Sequence, residues 1–130
     1  MGKIDKAAQD GGSEVLGIIP TNSTNLIGET IGEEMKVDNM HERINQMIEH
    51  SDAFIALLGG FGTFEKKFHT VCSAQLNIHH KPIGLLNVNN YNDKLISFLD
   101  DVVEQGFISQ ASRKMLISAT DESGLINLLQ

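Results

Sequence analysis

A single cysteine, Cys72, stands in the 130 residues, so no internal disulfide can form and a reducing compartment is the natural setting. No apolar run reaches the length needed to span a bilayer, and no basic-then-apolar leader opens the chain; neither membrane insertion nor Sec-type export is expected. Positive charge is scarce, with 10 Lys and Arg against 17 Asp and Glu, a net charge of -7 and a pI near 5.1. That balance argues against non-specific binding to nucleic acid or membrane surfaces and leaves room only for a local basic pocket. Polybasic runs, low-complexity tracts and internal repeats are missing too. Asn22-Ser23-Thr24 fits the glycosylation triplet but carries no weight without an export signal. What remains is 41% hydrophobic residues in a chain long enough for one core, which predicts a single globular domain over 1–130.

The apolar pattern alternates between two periods. Residues 3–10 read as a short helix stopped by Gly11-Gly12, and "VLGIIP" (15–20) as a buried strand. Residues 21–32 form a polar loop, and "EEMKVD" (33–38) is a short strand or helix entry. Asp38 or Asn39 can cap a helix over 40–50 that carries Met40, Ile44, Met47 and Ile48 on one face. "AFIALL" (53–58) is a strand, followed by a glycine turn and a helix to about Asn77, in which Phe64, Phe68, Val71 and Cys72 make an apolar stripe. "KPIGLLNV" (81–88) and "MLISAT" (115–120) are further strands; between them "YNDKLISFLDDVVEQG" (91–106) is an amphipathic helix closed by Gly106, and Asp121 opens a last helix. Strands alternating with helices, and apolar almost throughout, predict an α/β fold with an open parallel sheet covered on both faces.

"LLGGFGTFEK" (57–66) concentrates the chemistry. A parallel strand whose C-terminal end turns through glycines into a helix is where such sheets bind ligands. Gly59, Gly60 and Gly62 are expected to bring the backbone close and to adopt positive φ, the helix amides to face a phosphate, and Thr63 to add a hydroxyl. A tight turn without a ligand is the bland alternative. His69, Cys72, His79 and His80 lack the thiolate count and spacing of a zinc site, so no metal is expected, and Cys72 reads as a small core residue rather than a nucleophile. Arg43 alone reads as a solvated helix charge.

The stretch from Met40 to Ser109, including "HERINQ", "GGFGTFEK" and "HHKPIGLLNVNNY", resembles the LONELY GUY family, formerly labelled lysine-decarboxylase-like. The similarity runs from about residue 2 to the C-terminus and is tightest over 79–108. The resemblance implies a Rossmann-like fold, dimers, no metal or organic cofactor, and hydrolysis of cytokinin riboside 5′-monophosphates to free base and ribose 5-phosphate. It also implies a cytoplasmic location extending to the nucleus. Carried onto this chain, the family's signature "PGGxGTxxE" falls on residues 58–66, which assigns phosphate and substrate binding to Gly59, Gly60, Phe61, Gly62, Thr63 and Glu65. The family arginine falls on Arg43, and the position of the catalytic glutamate is held by Lys66.

Further departures accompany Lys66. Leu58 replaces the signature proline and Ile44 a lysine, Asn25 stands for an acidic residue, and Cys72-Ser73 for a threonine–tryptophan pair. The family's first strands and their glycine-rich turn precede the point where "MGKIDKAAQDGG" begins, so the N-terminal strands of the family fold are expected to be missing and "VLGII" to have no bridge to "AFIAL". The expectation is therefore a weak or inactive hydrolase that keeps a nucleoside monophosphate site. The alternatives are a non-catalytic nucleotide-binding module, homo-oligomeric or hetero-oligomeric with full-length relatives, and a poorly stable remnant.

Overall fold

Every strand expected from the apolar runs forms, and the pairings among the described residues are all parallel. The computed structural model describes residues 2–23 and 30–130, so Asn25 lies outside the described residues. Two compact units divide the chain, Met1–His50 and Ser51–Gln130.

In the first unit, helix α1 (Gly2–Asp10) ends where the Ser13 amide reaches back to the Ala8 carbonyl at 2.9 Å. Strands β1 (Leu16–Pro20) and β2 (Glu33–Val37) pair from Leu16↔Glu33 to Pro20↔Val37. Helix α2 (Met40–Glu49) starts at Asn39, whose side chain accepts the Glu42 amide at 2.9 Å while the Glu42 carboxylate takes the Asp38 amide at 2.7 Å. The Glu42 amide, a donor that the helix leaves unpaired, is thereby satisfied, and Asp38 at the helix entry is tied to it. Ile18, Ile19, Val37 and Ile44 are buried and make the core of this unit.

In the second unit, β3 (Phe54–Ala56), β4 (Ile83–Leu86) and β5 (Leu116–Ala119) form a sheet in that order, with α3 (Phe61–Gln75), α4 (Asp93–Glu104), α5 (Gln110–Lys114) and α6 (Glu122–Leu129) around it. The central strand carries the core: Ile83 and Leu85 are 2% and 0% exposed and cluster with Ala74 and Leu116. Helix α6 packs on β4 and β5, close enough at Gly84 that a methyl group there would lie 3.0 Å from Leu125 and 3.1 Å from Leu129. The architecture is α/β and Rossmann-like, with parallel strands flanked by helices.

Three details differ from expectation. The buried face of α3 consists of Lys67, Thr70, Ser73 and Ala74, whereas Phe68 and Cys72 are exposed. Small Thr, Ser and Ala side chains let the helix approach the core through Ala74, and the bulkier stripe is turned to the margin. Cys72 is accordingly not a core residue. Coverage of both sheet faces holds for β4 and for Ile18 to Pro20 of β1 but not throughout, since Ile55 is 46% and Leu16 39% exposed, each on a strand with one partner among the described residues. Helix α5 was not signalled by its short, polar sequence; it is set by Ser109 capping the Ser112 amide at 3.0 Å and by Arg113 Nε on Asp100 of α4 at 2.7 Å.

Candidate functional site

Strand β3 ends at Ala56, and four residues later Gly60 becomes the N-cap of α3. The Gly60 carbonyl accepts from the amides of Thr63 at 3.0 Å and Phe64 at 3.1 Å. The Phe61 and Gly62 amides come earlier in that turn and have no preceding helical carbonyl to meet. They face outward with the positive end of the helix dipole, the arrangement that favours an anion.

The glycines do their work differently from the expectation. Gly59, Gly60 and Gly62 do not take positive φ; Gly60 sits at φ -102. At Gly59 a β-carbon would collide with Thr63 Oγ1 and Cβ, so this glycine is required for the strand end to close on the helix. A β-carbon at Gly60 would meet nothing, and at Gly62 only Lys66 Nζ at 3.9 Å. Space is left open on the outer side of both.

A second loop reaches the same turn. Beyond β4, Asn87 is buried; its Oδ1 accepts the Asn92 amide at 2.7 Å and its Nδ2 donates to Asp93 at 2.7 Å. Asn89 and Asn90 adopt left-handed φ of 51° and 59°, which asparagine tolerates better than most residues. Tyr91 then donates its hydroxyl to the Gly59 carbonyl at 3.1 Å. The asparagine loop and the glycine turn therefore stand together at the C-terminal ends of β3 and β4, where open parallel sheets bind ligands. Sequence reasoning named these asparagines only as lining candidates; their place after a strand's C-terminal end was the available signal.

Among the expected site residues, Gly59 to Lys66 are brought together on this one turn and helix start. Phe61 is 92% exposed. Lys66 Nζ donates to the Gly62 carbonyl at 3.2 Å and lies 4.0 Å from Glu65, whose side chain is largely in solvent. Arg43 stands on α2 of the first unit, half-buried, with a buried Nε that has no hydrogen-bond partner among the described residues. Ile44 beside it is core, 3% exposed. His79 serves packing: its ring lies 5.4 Å from that of Phe54, its Nε2–H donates to the Thr70 carbonyl at 3.0 Å, and its Nδ1 accepts the Lys81 amide at 3.2 Å.

Residues 1–129 match the family described as "Possible lysine decarboxylase". The chain is also 46% identical over 132 residues to the probable cytokinin riboside 5′-monophosphate phosphoribohydrolase LOGL3 of Oryza sativa subsp. japonica, covering 100% of this chain and 63% of that protein. Two cytokinin riboside 5′-monophosphate phosphoribohydrolases of Arabidopsis thaliana, LOG3 and LOG4, are each 48% identical over 132 residues, covering 100% of this chain and 61% of theirs. The chain belongs to the LONELY GUY family. It spans about three-fifths of the length of the curated relatives it matches. The glycine turn, Thr63 and the start of α3, onto which the resemblance maps the family signature, are in place.

One further residue was missed from the sequence. Lys67 is only 4% exposed, its ammonium has no hydrogen-bond partner among the described residues, and burial pulls its pKa below the ordinary lysine value. The available signal was a second lysine at a position three and seven residues before the buried Thr70 and Ala74.

Proposed function

We propose that the glycine turn of the second unit holds the 5′-phosphate of a cytokinin-type nucleoside monophosphate, and that this chain hydrolyses the N-glycosidic bond of that ligand slowly or not at all. Lys66 carries the proposal. In the reaction named for the relatives, water adds a hydroxyl to the ribose C1′ as the bond to the base breaks, and the base leaves with a proton. Positive charge builds on the sugar before water is fully bonded, so a carboxylate beside it stabilises the transition state. The signature position that would supply this carboxylate bears an ammonium held on the Gly62 carbonyl at 3.2 Å. No metal or organic cofactor enters this chemistry.

Binding and turnover are separable on this reading. Isothermal titration should give adenosine monophosphate at least about tenfold higher affinity than adenosine, the effect of charge-assisted hydrogen bonds to phosphate. Equal affinity for the two would remove the glycine turn from the functional account.

A second reading, an assembling and non-catalytic paralogue, is favoured by apolar surface. Leu76, Ile78, Phe98 and Phe107 are 61–82% exposed in the second unit, and Phe68, Val71 and Cys72 line an open cleft of about 150 Å³ with Leu99 and Ile108. Surfaces of this kind mark interaction sites. Light scattering should therefore find a dimer or larger species, alone or mixed with a full-length relative. A monomer under both conditions would count against assembly.

A further inference from the structure

We propose that the second unit carries a site for a small carboxylate with an apolar body, in a cavity at the end of the sheet opposite the glycine turn. The cavity is open, holds about 260 Å³ and is lined from three places. Ala74 of α3 forms one side, the segment from His79 to Pro82 ahead of β4 another, and Lys114, Met115 and Ile117 at the junction of α5 and β5 the third. Strands β3, β4 and β5 run parallel, so residues that precede β4 and β5 stand at the N-terminal ends of the sheet. The glycine turn follows the C-terminal end of β3, and the two places share no residue.

Charge and polarity of the lining select the ligand. A chain with 17 Asp and Glu against 10 Lys and Arg sets two lysines and two histidines around this cavity and no carboxylate. Lys114 and His80 are exposed, and among the described residues neither forms an ion pair with an acidic side chain. An ammonium offers three N–H donors and an imidazole at least one, so an anion finds both charge and donors here. The remaining lining, Ala74, Pro82, Met115 and Ile117, is apolar and less exposed. It suits an aromatic or hydrocarbon body whose charged head stays with the outer lysine and histidine. Inorganic phosphate, polar on every side, would leave that apolar part uncovered. The volume lies below the roughly 300–1,000 Å³ of drug-sized pockets, which limits the ligand to one ring or a short chain.

Both walls are set before a ligand arrives. His79 is 6% exposed, and its two ring nitrogens are spent on the Thr70 carbonyl and the Lys81 amide, which fixes the segment ahead of β4. Arg113 secures the other wall through Asp100 at 2.7 Å and the Leu116 carbonyl at 3.2 Å. A wall that is already ordered spares the ligand the cost of ordering it.

The test is an amide-resolved NMR titration of the whole chain with benzoate, hexanoate, benzyl alcohol and inorganic phosphate, at fixed pH and ionic strength. Benzoate and hexanoate should shift the amides of His79 to Lys81 and of Lys114 to Ile117 saturably, with a Kd of about 10 mM or tighter for ligands of this size. Benzyl alcohol, the same ring without the charge, should bind about fivefold more weakly. Lys114→Met and His80→Ala, both at exposed positions, should each weaken benzoate about twofold to fivefold. The double variant should hold benzoate no better than benzyl alcohol. Shifts that fail to saturate, or that saturate only at other residues, would show that this cavity is not a site. Equal affinity for benzoate and benzyl alcohol, or a double variant that binds benzoate as the wild type does, would remove the anion from the assignment. Displacement of benzoate by inorganic phosphate at lower concentration would overturn the carboxylate class.

Discussion

Lys66→Glu should raise release of free base from isopentenyladenosine monophosphate above that of the unmodified chain, and the reverse change in a full-length relative should slow it on the order of 10⁴-fold. The magnitude follows from charge. At about 5 Å and an effective dielectric of about 20, a carboxylate attracts a unit of developing positive charge by roughly 3 kcal/mol and an ammonium repels it by as much. The swing of roughly 6 kcal/mol converts to that rate factor. Glu65 is a poor substitute, because it is adjacent on the helix, about 100° round the axis, and largely in solvent. Recovery in this chain should be partial, since the resemblance puts a lysine at the position of Ile44, which is buried, and a proline at that of Leu58. Base release is followed chromatographically at saturating substrate. Turnover by the unmodified chain at a full-length relative's rate would mean that another group supplies the negative charge and that the catalytic position is misassigned.

Leu85→Ala should destabilise the second unit by about 2–5 kcal/mol, the usual range for emptying a buried leucine site. Leu85 has 0% exposure at the centre of β4, between paired strands, with Ile83, Leu116 and Ala74 around it. The sheet is hydrogen-bonded on both sides of this strand and cannot readily collapse into the space. Against a total stability of about 5–15 kcal/mol this is a large share. Urea unfolding followed by far-UV circular dichroism should shift to a clearly lower midpoint with little change in slope. Ile55→Ala, at a position 46% exposed on β3, is the control and should cost well under half as much. Equal losses at the two sites would mean that β4 is not the centre of the core.

Four strands were legible as apolar runs, whereas β2, with Glu33, Glu34 and Lys36, was left open between strand and helix entry; the helix starts were legible at Asn39 and Asp121, whose side chains take the Glu42 and Gly124 amides at 2.9 Å and 2.8 Å. Periodicity alone misplaced the buried face of α3. It ranks Phe and Cys above Thr, Ser and Lys, whereas the packing selected small side chains next to Ala74. The glycine turn was legible as a site from its strand–turn–helix setting, yet the work of its glycines was not. Collision with Thr63, not left-handed backbone, fixes Gly59. The approach of Tyr91 to that turn joins residues 32 apart in sequence, a separation that no local pattern encodes. Lys67 was invisible for a related reason: its burial depends on what packs around α3, and a lysine beside another lysine reads as solvent-facing.

The hydrogen bond from Tyr91 to Gly59 gives this protein a built-in optical reporter. The chain contains one tyrosine and no tryptophan, so the emission excited in the tyrosine band, beyond phenylalanine absorption, arises from a single phenol, and that phenol rests on the carbonyl of the glycine turn at 3.1 Å. Any event that moves the turn also alters the environment of the fluorophore. Occupancy of the site can thus be followed without a label, at the position where the ligand is proposed to sit.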